Sequence, residues 1–189
     1  MEALIEFLRL FHPITDDEAS GITTYFRPRA IKEGEYLFRS GNVCRKLYFV
    51  VSGVLRIVAT NDKGVDVTYY FIGERQLCTL LQSFNQGTTA ADSIQACCDT
   101  HVLTIGKQDL LEVYTNFPFM VDAVSQANQQ RMLEKIRLKN AYAGQDAVER
   151  YRVFINEQPE IANRVPQSYI ASYLNITPQS LSRIRRNVP

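Results

Sequence analysis

Between Ile31 and Ile105 the sequence is a succession of short runs rich in Val, Ile, Leu, Tyr and Phe, each closed by turn residues. EYLF follows Gly34 and gives way to SGN. KLYFVV breaks at SG, VLRIVA at NDKG and VDVTYYFI at GE, and DSIQACC and HVLTI complete the series. Strands this short and this regularly punctuated predict an antiparallel sandwich or barrel. Asn61-Asp62-Lys63-Gly64 suits a hairpin turn, because Asn and Gly tolerate positive φ.

Helical patterns flank this block. Leu4, Ile5, Phe7, Leu8 and Phe11 crowd one side of a short N-terminal helix, and Thr15 to Glu18 has the spacing of a capping box. Pro28 is expected to close that segment. Lys107 opens KQDLLEVYTNF, and after Pro118 comes the long stretch FMVDAVSQANQQRMLEKIRLKNAYA. A helix of roughly 23 residues would be about 35 Å long. Val121, Val124, Met132 and Ile136 lie near one of its faces. That stripe suits a two-chain seam or packing along the chain's own barrel, and the pattern alone does not choose. Gly144 interrupts as a candidate hinge, Asp146 can cap a further helix, and Pro159 ends it. The expected division is a sensor-like body at 1–116, a long helix at 117–143 and a C-terminal module at 144–189.

Charge is distributed unevenly along a chain of net charge +1. Residues 131–189 hold ten Lys and Arg against five Asp and Glu, whereas residues 1–130 hold eleven against fifteen. A basic C-terminal third points to a polyanionic partner there. No run of about 18 apolar residues exists, so no membrane span is expected. MEALIEFLRLFHP carries Glu2 and Glu6 and does not read as a signal peptide, so a cytoplasmic protein is expected. The cysteines, Cys44, Cys78, Cys97 and Cys98, lack disulfide or zinc spacing and read as reduced thiols. Two histidines, His12 and His101, are too few for a cupin-like metal site, and no Ser-His-Asp or Cys-His arrangement suggests itself. No enzyme, metal or cofactor is expected. His101, in an apolar strand, reads as a packed core histidine.

The terminal stretch YIASYLNITPQSLSRIRR carries the most specific signal. Ile170, Ala171 and Leu174 share helical spacing, as do Leu181 and Ile184. Ala171 is small enough for two helices to approach closely. Asn175 stands where the chain must reverse, since Asn visits the left-handed region readily. Thr177 and Pro178 then begin a helix as N-cap and first helical residue. This is a helix-turn-helix pattern. The opposite face bears Gln179, Ser180, Ser182, Arg183, Arg185 and Arg186. Such residues can read base edges and grip phosphates, although a solvated basic helix end, complementing the helix dipole, has the same composition. The remaining alternative is a ligand-binding module whose helix-turn-helix contacts protein.

With these motifs in view, the chain resembles the Crp/Fnr transcriptional regulators. GEYLFRSGNVCRKLYFVVSGVLRIV is similar to the opening hairpins of their cyclic-nucleotide-binding-type jelly roll. The long helix resembles their dimerisation helix, and VPQSYIASYLNITPQSLSRIRR their C-terminal helix-turn-helix. The resemblance implies an α+β fold: an N-terminal antiparallel β jelly roll with flanking helices, a dimerisation helix carrying Val121, Val124, Met132 and Ile136, and an all-α C-terminal module. It implies a homodimer on a near-palindromic DNA operator, with RNA polymerase as a further partner. Base contacts fall at Pro178, Gln179 and Arg183. Phosphate contacts fall at Thr177, Ser180, Gln167 and Ser168, and Arg185 and Arg186 stand in for the wing that many members have. The family's nucleotide-gripping Gly-Glu pair falls near Thr79 and Leu80, and its Arg-Ser pair near Ala90 and Ala91. Neither matches, Gly73-Glu74 sits several residues early, and no Arg lies between Arg75 and Arg131. A buried phosphate without a cation costs several kcal/mol. The expectation is therefore a different, less charged ligand, or none. The family's iron–sulfur and haem sensors do not carry over either, since no Cys precedes Cys44 and His101 stands alone.

Overall fold

The computed structural model describes residues 1–61 and 64–187. Helices α1 (Glu2–Leu8) and α2 (Asp16–Thr23) come first. The capping box at Thr15 forms: its hydroxyl accepts from the Glu18 N–H at 3.3 Å, and the Glu18 carboxylate accepts from the Thr15 N–H at 2.9 Å. Strands β1 (Arg27–Ile31), β2 (Tyr36–Phe38), β3 (Lys46–Ser52), β4 (Leu55–Thr60), β5 (Asp66–Ile72) and β6 (Leu77–Cys78) follow. After helix α3 (Leu81–Gln86) come β7 (Ser93–Ala96) and β8 (Thr100–Gly106). They form two antiparallel four-stranded sheets, in the orders β1-β8-β3-β6 and β2-β7-β4-β5. The architecture is α+β with a jelly-roll-like body.

Every strand read from the sequence is present. Of the hairpin turn read at 61–64, Asp62 and Lys63 lie outside the described residues, while the Asn61 N–H donates to the Val65 carbonyl at 3.0 Å beside them. The sequence reading missed β1, β6, α3 and a short helix at Pro159–Arg164. Pro28 does not close a helical segment but sits inside β1, opposite Leu103. This is permitted because β1 is an edge strand, where a missing N–H need not break a ladder.

The two central strands of the first sheet, β3 and β8, are buried on both faces, with period-2 alternation deciding where each side chain goes. Leu47 and Phe49 of β3, with Leu103 and Ile105 of β8, face outward onto α1 and α2 and onto α4 (Lys107–Asn116) and α5 (Phe119–Tyr142). Tyr48, Val50 and Val102 face inward, meeting Leu55, Ile57, Ile72 and Ile94 of the second sheet. The chain passes between the sheets at Gly53, whose φ is +100° and where a Cβ would lie 2.7 Å from the Thr100 backbone. Only glycine meets both conditions.

The C-terminal helices are α6 (Ala147–Glu157), α7 (Pro159–Arg164), α8 (Gln167–Tyr173) and α9 (Pro178–Asn187). Their core is not self-contained. Tyr151, Phe154, Ile170, Ala171, Leu174, Leu181 and Ile184 pack together with Val54, Phe71 and Cys97 of the barrel.

Helix α5 corrects one expectation. Val124 is buried in the chain's own core with Met120, Ala123 and Ala127, because this half of the helix lies over the first sheet. Val121, Met132 and Ile136 are exposed, and Leu133, absent from the expected stripe, is 67% exposed. His101 is also exposed rather than packed, with Nδ1 3.2 Å from the Ser52 hydroxyl. All four cysteines are free, and among the described residues no helix is long and apolar enough to cross a membrane.

Candidate nucleic-acid interface and ligand cavity

Helices α8 and α9 form the bihelical unit read from the sequence. Asn175 adopts φ 54°, in the left-handed region, and the Ile176 N–H donates to the Ala171 carbonyl at 3.0 Å across the turn. Thr177 caps α9, its hydroxyl accepting from the Ser180 N–H at 3.1 Å. Leu181 and Ile184 are buried against Ala171. Their burial turns the other face outward, so Pro178, Gln179, Arg183, Arg185 and Arg186 are exposed. Among the described residues, the Gln179 amide and the three guanidinium groups have no hydrogen-bond or ion-pair partner. Gln167 and Ser168, at the start of α8, are exposed as well. Ser180 and Ser182 are half-buried, and the Ser180 hydroxyl lies 3.0 Å from that of Thr177. Those two hydroxyls serve the cap first. The arrangement is a rigid helix offering an amide and a row of arginines, a set suited to base edges and phosphates.

The unit is fastened to the barrel through α8. The Thr68 N–H on β5 donates to the Ser172 hydroxyl at 3.0 Å. Arg56 on β4 is 4% exposed, and among the described residues it has no carboxylate partner. Its guanidinium donates to the Gln95 side-chain oxygen at 2.8 and 2.6 Å and to the Thr68 hydroxyl at 2.7 Å, and it stacks 3.4 Å from the Tyr169 ring centre. Tyr173 packs on Phe71 and Phe154. Glu74, of the Gly-Glu pair noted in the sequence, accepts from the Gly53 N–H at 3.0 Å and pairs with Arg164 of α7 at 2.9 Å. These bonds, the Gly53 N–H first, hold its carboxyl below its ordinary pKa. Glu74 is thus a tie between barrel and C-terminal helices.

A cavity of about 380 Å³ opens between the barrel and α5, in the size range of small-molecule sites. Thr79, Leu80, Ala90 and Ala91 all line it, so the positions assigned from the sequence do converge. The sequence reading missed the opposite wall. Arg131 and Lys135, four residues apart on α5, line the same cavity with Asn128 and Met132. Both are cations that the reading of the loop positions did not consider. The loop side supplies none, but the helix side supplies two. Their signal was present in the sequence as basic residues one helical turn apart, but a helix register relative to a distant sheet cannot be read from local pattern. Asp92 lies on the loop side, its carboxyl pushed up by burial.

Residues 28–117 match the family model of the cyclic nucleotide-binding domain. The chain is 26% identical to the cyclic AMP receptor protein of Thermus thermophilus over 125 residues, covering 66% of this chain and 57% of that protein. A solved regulator of the Crp/Fnr family from Eubacterium rectale superposes with a TM-score of 0.71 at 18% identity, over 96% of this chain and 87% of that one. The chain shares the fold of that regulator. The c-di-GMP-responsive global regulator CLP of Xanthomonas campestris has the same fold, with a TM-score of 0.72 at 16% identity over 92% and 91% of the two chains.

Proposed function

We propose that this chain is a homodimeric, sequence-specific DNA-binding transcriptional regulator of the Crp/Fnr type. The observation that carries this reading is α9: capped at Thr177, buried through Leu181 and Ile184, and presenting Gln179, Arg183, Arg185 and Arg186 without partners among the described residues. Gln179 matches the donor and acceptor pattern of adenine and Arg183 that of guanine. Gln167, Ser168 and the terminal arginines fall where phosphates would run. The exposed Val121, Met132, Leu133 and Ile136 on α5 support a two-chain seam. Such a dimer sets two copies of α9 about 34 Å apart, in successive major grooves of a near-palindrome. The names of the similar proteins, a cyclic AMP receptor, a c-di-GMP-responsive regulator and a Crp/Fnr regulator, agree with it. The cavity beside α5 is then the effector site. RNA polymerase is the natural further partner of the DNA-bound form.

The test is selection of duplexes from a random pool, followed by anisotropy titration of the selected site. Wild-type protein should enrich a near-palindrome, and its affinity should fall steeply with salt. Arg183→Ala should cost about 1–3 kcal/mol and relax one base position in each half-site. Unchanged affinity and preference in Arg183→Ala would refute the assignment, and a flat salt dependence would favour a protein partner.

A further inference from the structure

Strand β5 lies at the edge of the second sheet, where outward backbone groups have no neighbouring strand. One face of α8 covers it. Tyr169, Ser172 and Tyr173 share that face by their i, i+3, i+4 spacing, and they meet Arg56, Thr68 and Phe71. Thr68 is used twice. Its hydroxyl accepts from the Arg56 guanidinium at 2.7 Å, and its N–H donates to the Ser172 hydroxyl at 3.0 Å. Another face of α8 carries Ala171 and Leu174, which share one cluster with Leu181 and Ile184 of α9. The outward-facing α9 is thereby coupled to the strands through the seven-residue α8. The covalent route is looser. Residues 143–146 link α5 to α6, and Gly144 there has φ +75° with nothing within 4 Å of a Cβ. The ion pair of Arg137 with Glu157 across that link is solvent-exposed and worth little. Apolar packing holds two bodies together without fixing their angle, whereas hydrogen bonds and a stacked guanidinium are directional. Arg56 supplies that direction from beneath Tyr169, at 4% exposure, where it does not reach a duplex.

We infer that Arg56 is a positioning residue for DNA reading: with Thr68 it clamps α8 at one angle on the sensor strands, and so sets the half-site spacing that the dimer accepts. The inference rests on the homodimeric, DNA-reading function proposed above. Successive base pairs advance by about 3.4 Å and turn by about 35°. An inserted pair therefore moves one half-site both along and around the duplex axis. Two clamped copies of α9 cannot follow that movement. Two copies swinging on residues 143–146 can.

The experiment is anisotropy titration of the full chain on a short series of duplexes: the selected near-palindrome, the same site with one or two base pairs inserted at its centre, and a single half-site. Wild type should lose about tenfold or more on each inserted duplex, falling toward its half-site affinity. Arg56→Met should narrow that loss to about threefold or less, with half-site affinity within about twofold of wild type. The double variant Tyr169→Leu with Ser172→Ala should do the same. It leaves the interior of both sheets untouched, so the readout survives where Arg56→Met fails to fold. Tyr169→Phe keeps the ring and should keep the wild-type spacing preference. A role in stability alone lowers binding on every duplex in proportion and leaves the ratios as they are. Unchanged ratios in the folded variants, or a wild type that accepts all spacings equally, overturn the inference while the DNA reading stands. A wild type that binds no duplex removes the DNA reading, and the spacing inference with it.

Discussion

Lys135 shows what one misfit charge does to a fold. Its folded pKa, about 8, lies below the 10.5 of an unperturbed lysine, so between these values the unfolded chain binds the proton more tightly. Stability then rises with pH across that window. The groups facing it are Tyr70, Cys78, Asp92, Arg131 and Glu134. Burial raises the Tyr70 hydroxyl far above its ordinary value and pushes the Cys78 thiol up to about 12, which lowers stability as pH rises past their ordinary values, but both groups are present in wild type and variant alike and drop out of the difference. Urea midpoints measured from pH 7 to pH 10 should favour wild type increasingly over Lys135→Met. A difference that stays flat would remove the buried cation from the account.

At the scale of elements, the docking of α8 on the second sheet is the least ordinary contact. Arg56 brings a full positive charge into a nearly dry position and satisfies it with an amide oxygen, a hydroxyl and the Tyr169 ring. Arg56→Met leaves the Gln95 acceptor unpaired and deletes the stack, and should cost about 2–3 kcal/mol in urea denaturation. Lys in its place cannot form the same fork. None of this was legible in the sequence. VLRIVA reads correctly as a strand, but Gln95 is 39 residues away and Tyr169 lies on another element. By contrast, the α8–α9 turn was legible almost residue by residue. Its determinants, Asn175 in the left-handed region, the Thr177 cap and the Leu181–Ile184 face, are local and chemically specific. Helix α5 falls between the two cases. Its length was readable, but its burial changes along its course. Val124 packs on the barrel while Leu133 faces solvent, so no single stripe describes it.

For the whole molecule, the exposed apolar side chains of α5 make the oligomeric state the decisive property. Leu133 and Ile136 sit at adjacent positions on the outward half of the helix, 67% and 49% exposed. Paired glutamates there, Leu133→Glu with Ile136→Glu, place like charges across any two-chain seam. In sedimentation velocity, wild type should run as a dimer and the double variant as a monomer, with the melting temperature little changed because neither side chain supports the internal core. The variant should still bind single half-sites weakly but lose the gain from spanning both. A wild-type monomer, or a glutamate variant that still dimerises, would place the seam elsewhere.

The hydrophobic cluster that joins Val54, Phe71 and Cys97 to the last four helices limits how this protein could be rebuilt. A chimera that transplants only the final helices onto another sensor would strip Phe154, Ile170 and Leu181 of part of their neighbours. It would also leave a greasy scar on the donor barrel. A workable graft has to carry those three strand-side residues with it, so the boundary of the portable unit is drawn by packing and not by chain order.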